Sequence, residues 1–257
     1  MAYQGEIDYE THPGLGWFLT GACPLVLAVD IKVLSIGTVS SVLRDLIPEF
    51  ERNTGNKIEI TYGGPAAVLE RLSKGEPADV FIVPGVLWDQ SEKTGRLVSS
   101  TKTVLPATTY AVGMPPGGNA SETMNVSYFQ RLLKNAKSVG LVDRSPSTAL
   151  LMQNLVKLGV SSQLEAKAKT YPNGSAIAEA LVREEVDMGV TTLSELLSVP
   201  RVVIMGPVPA DILPLKATSI AAVSTGASSP KEAAALIQFL VSPTAIAAFK
   251  ARGFEAD

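Results

Sequence analysis

The sequence predicts an α/β protein of two lobes, each a mainly parallel sheet flanked by helices, with two extended segments as the hinge. Three observations predict it. From Ile31 onward, short β-branched runs alternate with amphipathic stretches, the pattern of strands joined by helical crossovers. A longer apolar run, Leu105 to Met114, ends in Pro115-Pro116-Gly117-Gly118, and a second alternating series follows it. A late apolar run, Thr218 to Val223, then leads into a helical ending, as a chain returning to its first lobe would. The lobes are accordingly expected at residues 31–112 with 218–257, and at residues 113–217.

The elements follow in order. Ile31 to Ile36 is a strand, and Ser40 to Asn53 a helix with apolar residues at Val42, Leu43, Leu46, Ile47 and Phe50. Gly55 stops that helix. Lys57 to Tyr62 alternates with period two and reads as a strand. Pro65 to Lys74 is helical with proline at its start, Asp79 to Val83 is a buried strand, and Val86 to Thr94 is a helix ending at Gly95. In the second series Tyr128 to Lys134, Thr148 to Leu158 and Ala176 to Arg183 are helical. Val139 to Val142, Ala166 to Tyr171, Met188 to Thr191 and Val202 to Met205 are strands. Pro230 to Lys250 gives two helices divided at Ser242-Pro243.

Residues 1–30 read differently and are expected to form a disordered start or signal remnant, with the fold beginning near Asp30. The apolar run from Trp17 to Val29 is shorter than the ~20 residues a bilayer span needs. An export signal would open on basic residues, but no Lys or Arg precedes Lys32. Leu19-Thr20-Gly21-Ala22-Cys23 faintly resembles a lipoprotein cleavage box, with the leucine one place early.

Composition removes several functions. Hydrophobic residues make up 46% and charged residues 18% of the 257, which suits a folded chain with a large core. The net charge of −3, without a basic block, speaks against nucleic acid, whose phosphates demand a concentrated basic surface. One cysteine, Cys23, cannot close an internal disulfide or build a cysteine zinc site. One histidine, His12, lies in the polar start, which argues against Ser-His-Asp and Cys-His catalysis. No cofactor, no metal and a monomer are expected.

Four strand-to-helix junctions are candidates for binding: Gly37-Thr38-Val39-Ser40-Ser41, Gly63-Gly64-Pro65-Ala66, Asp143-Arg144-Ser145-Pro146-Ser147-Thr148, and Pro172-Asn173-Gly174-Ser175. Each sets small or hydroxyl residues at a helix N-terminus, where unpaired N–H groups and the helix dipole favour negative charge. Taken singly, each is what an ordinary helix cap looks like. Together, at one cleft between lobes, they would clamp an anion. Gly63-Gly64 exceeds what a cap needs, yet the lysine of a P-loop is absent after it. Arg144 is the one guanidinium in a candidate loop; it suits a carboxylate ligand and equally reads as a solvated loop arginine. Asp143 is the one acid in those loops, and so the candidate base if the protein is an enzyme.

Four stretches carry a resemblance: Leu34 to Ser41, Phe50 to Gly55, Tyr62 to Ala66 and, most specifically, Gly75-Glu76-Pro77-Ala78-Asp79-Val80-Phe81-Ile82. With the ending Phe239 to Phe254, the chain resembles the periplasmic molybdate-binding proteins over nearly all of 31–257. The resemblance implies the two-lobed type II periplasmic-binding-protein fold. It implies an oxyanion held by hydroxyls and backbone amides, a permease of an ABC-type importer as partner, and a periplasmic or extracellular location. On it, Thr38 with Ser40 or Ser41 matches the first-loop hydroxyl position, and Gly64-Pro65-Ala66 the second loop. Departures point away from molybdate itself. Val142 to Ser147 lacks that family's Gly-Asp-Pro pattern, Thr192 stands near its tyrosine, and Pro65 replaces its serine. The stretch Glu195 to Pro200 and Gly206-Pro207-Val208-Pro209 are similar to a branch near bacterial aconitate isomerase. An isomerase acting on a small polycarboxylate is therefore the alternative.

Overall fold

The computed structural model describes residues 28–120 and 122–255, together with Met1. The readings of the start segment, His12 and Cys23 among them, lie outside the described residues. Strand β1 (Asp30–Ile36) alternates at its start and is wholly buried from Val33. Asp30 already pairs with Lys57, so the sheet begins one residue inside the stretch assigned to the start. A 3-10 turn, Gly37–Val39, leads into α1 (Ser40–Thr54), which stops where Gly55 takes φ +76°, a conformation that favours glycine. Then come β2 (Lys57–Gly63), α2 (Pro65–Ser73) and β3 (Val80–Pro84). The helix expected over Val86 to Thr94 is instead a 3-10 turn, Gly85–Leu87, and the short α3 (Trp88–Glu92), because Leu87 takes non-helical angles between them.

Strand β4 (Thr103–Met114) leaves this lobe. The second series is α4 (Val126–Asn135), β5 (Val139–Val142), α5 (Pro146–Lys157), α6 (Ser161–Glu165) and β6 (Ala168–Tyr171). It continues through α7 (Gly174–Val182), β7 (Met188–Thr192), α8 (Leu193–Leu197) and β8 (Val203–Pro207). The return is β9 (Lys216–Val223), followed by α9 (Pro230–Phe239), α10 (Pro243–Ala251) and β10 (Phe254–Glu255).

The sheet order is β2-β1-β3-β9-β4-β7-β5-β6, with β8 and β10 also pairing β4. The strands linked by helical crossovers are parallel: β1 with β2 and β3, and β5 with β6 and β7. The return strand β9 runs antiparallel to β3 and β4, and β4 antiparallel to β7, so the architecture is mixed where the lobes join. Strand β4 serves both lobes. Its first part, Thr103 to Thr109, pairs with β9, and Tyr110 to Gly113 pairs with β7. The second crossing runs from Pro207 to Lys216.

Apolar packing follows this division. One cluster joins β1, β3, α1, β9, α9 and α10 around Leu43, Phe81, Ile220 and Phe249. Two others, around Phe129 and Leu155 and around Ile177 and Leu181, lie in the second series. The C-terminal helices are fixed to the first lobe by Phe50 against Phe239 (centroids 5.5 Å apart) and by Phe249 edge-on to Phe254 (5.0 Å). Trp88 is buried, with the Lys102 ammonium 4.8 Å from its ring, and so it packs. Among the described residues no single helix is long and apolar enough to cross a membrane.

Candidate functional site

The carboxyl ends of β1, β2, β5 and β7 meet at one cleft between the lobes, where ligands of open α/β sheets bind. It encloses about 330 Å³ counted out to its open mouth, at the small end of small-molecule sites. From the first lobe come Gly37, Thr38, Gly63, Gly64 and Pro65; from the second, Ser145, Ser147, Asn173, Gly174, Thr191, Thr192 and Glu195. Tyr110, at the point where β4 passes between lobes, stands in the wall. A recess on the same cleft adds Pro84, Val86, Lys216 and Thr218, and shares Thr38, Pro65, Tyr110, Ser145 and Ser147.

The lobes touch here. Ser194 Oγ donates to the Thr38 carbonyl at 2.9 Å. A Cβ placed on Gly64 would lie 2.2 Å from the Pro172 carbonyl oxygen, and one on Gly37 would lie 3.0 Å from Glu195 Oε1. The arrangement is therefore a closed one, with two glycines at the points of closest approach.

Polar groups in the cleft fall into two networks. Ser145 and Ser147 share a 2.7 Å hydrogen bond, and the Tyr110 phenol bonds to Ser147. The buried Glu195 carboxylate accepts from Gly174 N–H at 3.0 Å, Thr191 Oγ1 at 2.8 Å and Thr192 Oγ1 at 2.7 Å. This carboxylate serves the first turn of α7, where Asn173 also caps Ala176 N–H. The starts of α2 and α5 carry no side-chain cap; each opens on a proline, Pro65 or Pro146, which has no N–H, so the uncapped donors of these turns begin at Ala66 and Ser147.

A family model described as bacterial extracellular solute-binding protein matches residues 31–255. The chain belongs to that family. It is 28% identical over 249 residues to an aconitate isomerase of Pseudomonas sp., with 94% of each chain covered. It is 25% identical over 237 residues to the molybdate-binding protein ModA of Azotobacter vinelandii, covering 88% of this chain and 90% of that one. The solved periplasmic molybdate-binding protein of Azotobacter vinelandii superposes with a TM-score of 0.73 at 16% identity, covering 88% of this chain and 99% of that one. The fold is thus that of the type II periplasmic binding proteins.

Within this solute-binding fold, the cleft collects Thr38, Gly63, Gly64, Pro65, Ser145, Ser147, Asn173, Gly174 and Thr192 of the residues singled out in the sequence. The others stay off its lining. Ser40 and Ser41 are buried in the first turn of α1, with Ser41 Oγ lacking a hydrogen-bond partner. Ser175 lies one residue beyond the lining, in the first turn of α7. Ala66 and Arg144 belong to an adjoining surface recess with Leu69, Leu87 and Gln90, which meets the cleft at Ser145. Arg144, at φ 44°, bonds Asp143 Oδ2 at 3.2 Å, and both side chains are largely exposed. The acid in the cleft is therefore Glu195, not Asp143. Glu195 and Tyr110 were missed as site residues. The five-residue α8 is too short to show a helical period, and Tyr110 sits inside an apolar strand. Arg71, on α2, makes a two-point pair with Glu76.

Burial pushes the Tyr110 phenol up to about 12, the Ser147 hydrogen bond opposing and the Glu195 charge adding to the rise. Burial also raises Tyr62 to about 12, against the pull of Arg44. These phenols are expected to ionise last in an absorbance titration at high pH. The unfolded phenols ionise near ~10 while the folded ones keep their protons. Their stabilising effect is therefore complete below about pH 10 and is lost as pH rises towards 12. Melting curves between those values should show stability falling with pH; a flat profile would mean both phenols reach water.

Proposed function

We propose that this protein is the extracytoplasmic solute-binding component of an ABC-type importer and closes on a small anion in the interlobe cleft. One observation carries the reading. The uncapped start of α2 in one lobe and that of α5 in the other line a single cleft, with Ser145, Ser147 and Tyr110 adding hydroxyls. Backbone N–H groups at helix starts bind oxyanions and carboxylates without a lysine or arginine beside them. The moving bodies in this reading are residues 31–112 with 218–257, and residues 113–217, hinged at β4 and at the Pro207 to Lys216 crossing. The partner is the importer's permease.

The test is a thermal-shift panel of molybdate, tungstate, sulfate, phosphate and small di- and tricarboxylates. A ligand that binds only the folded state raises the melting temperature. At least one anion should do so, and Ser147→Ala should weaken it by roughly tenfold, the effect of one lost hydrogen bond. If no anion in the panel raises the melting temperature, the reading fails.

A second reading, an isomerase of a small polycarboxylate, is favoured by Glu195, a carboxylate placed in the cleft where a base would have to stand. Incubating the protein with a tricarboxylic alkene acid in D2O and following exchange by proton NMR separates the two. A binding protein leaves the spectrum unchanged, and an isomerase moves the double bond.

A further inference from the structure

An anion-binding cleft with a carboxylate in its wall poses a problem of like charge. Glu195 is 5% exposed and lines the cleft beside Thr38, Ser147 and Gly174. Three donors reach it from its own lobe: Gly174 N–H on Oε1, and the Thr191 and Thr192 hydroxyls on Oε2. A carboxylate offers about four acceptor positions, so one remains. An anion whose facing atoms are all acceptors would set lone pair against lone pair and charge against charge there, in a site shielded from water. An anion carrying an O–H would place a proton between the two oxygens instead, and that charge-assisted bond is among the stronger kinds.

Resting on the anion-binding reading above, we propose that Glu195 selects for an anion that bears an O–H donor, either a protonated oxyanion or a hydroxycarboxylate, and rejects anions that present acceptors alone. The donors already on Glu195 fix its rotamer, so the open acceptor position is held in place rather than swung aside. The other lobe contributes as it closes. A Cβ on Gly37 would come within 3.0 Å of Oε1, so the absence of a side chain there lets the first lobe approach the carboxylate. The serines supply the complement: the Ser145–Ser147 pair and the α5 start offer donors to the remaining oxygens of the ligand.

Two pairs of probes read this out by calorimetry on the intact protein. Phosphate and sulfate differ by one acidic O–H at neutral pH, and malate and succinate by one hydroxyl. The expected result is a preference of 10–100-fold for the O–H member of at least one pair, the usual scale for a bond to a charged acceptor. Which pair shows it separates the oxyanion source from the hydroxycarboxylate source. Glu195→Gln should bring the ratio close to one, chiefly by strengthening sulfate or succinate. Ser147→Ala should weaken both members and keep the ratio. A wild-type protein that binds sulfate as tightly as phosphate, and succinate as tightly as malate, overturns the proposal without any variant, so a Glu195→Gln chain that failed to fold would not shelter it. If Ser147→Ala weakens binding while Glu195→Gln keeps the wild-type ratio, only the selectivity proposal falls. If neither variant alters binding, or no anion of the wider panel binds, the cleft reading falls and takes this proposal with it; if other anions bind but none of these four does, the selectivity proposal alone falls.

Discussion

Gly64→Ala is expected to abolish tight closure while leaving both lobes folded. Gly64 has φ −72° and ψ 165°, a conformation open to any residue, so backbone freedom is not why glycine stands there. The reason is contact. An added Cβ would lie 2.2 Å from the Pro172 carbonyl oxygen in the other lobe, and a backbone oxygen cannot rotate away as a side chain would. Relief requires the lobes to part, which withdraws the α2 start from the α5 start and dismantles the cleft. If closure becomes a hundredfold rarer, apparent affinity falls a hundredfold, since only the competent population binds. The unliganded melting temperature should barely move, because neither core is touched. Gly63→Ala is the control. Its Cβ would meet only Val68 and Ala67 of its own lobe, at 3.2 Å and beyond, where side chains can give way. Small-angle scattering with phosphate and the other anions of the panel should show wild type and Gly63→Ala contracting while Gly64→Ala stays open. Contraction of Gly64→Ala to the wild-type radius would mean that the closed state is built on different contacts.

How much of this was legible in the sequence depends on the distance over which each signal acts. The longer strands and helices of both series were legible because they carry their own period and stop, as α1 does with its apolar face and Gly55, whereas the five-residue α6 and α8 are too short to show one. The second glycine of Gly63-Gly64 stood out as more than a cap, though its cause, the Pro172 carbonyl, lies over a hundred positions away and leaves no trace in a local pattern. All four candidate loops reach the cleft, yet within them the sequence could not say which way a side chain turns. Arg144 shows this: a left-handed backbone directs it towards Asp143 and solvent. Glu195 is the opposite case. It is the third residue of α8, a helix of five residues that follows the buried β7, so nothing local separates it from an ordinary surface acid. Only the tertiary meeting of α7, β7 and α8 makes it a cleft carboxylate. The antiparallel position of β9 was illegible for a related reason. Strand direction follows from where the chain returns, and Thr218 to Val223 reads the same either way.

Asp79→Ala is expected to be the most destabilising single change outside the apolar cores. Asp79 lies in the Gly75 to Ile82 stretch, the most family-like run of the chain and a natural place to look for a site residue. Its surroundings assign it a different task. The side chain is 2% exposed, and Oδ2 accepts the Lys32 N–H at 2.8 Å. Oδ1 accepts the N–H groups of Ser228 and Ser229 at 2.6 and 3.2 Å. One carboxylate thus ties the entrance of β1 to the turn that launches α9, a helix more than 140 positions later in the chain. Alanine would leave those three backbone donors without their acceptor, and an unmet buried donor costs about 1–3 kcal/mol. A total of about 3–5 kcal/mol is expected, lowering the melting temperature by roughly 10 °C or more in a chain of this size. Asparagine should recover only part of it, because its amide nitrogen would turn a donor towards a donor. Asp79 precedes β3, at the end of the sheet opposite the cleft. Anion affinity at temperatures where the variant remains folded should therefore equal that of the wild type. Urea melting and calorimetry on the same preparation test both halves. A large loss of affinity with unchanged stability would move Asp79 from the scaffold to the site, and a drop of under about 3 °C would mean that water takes over its three bonds.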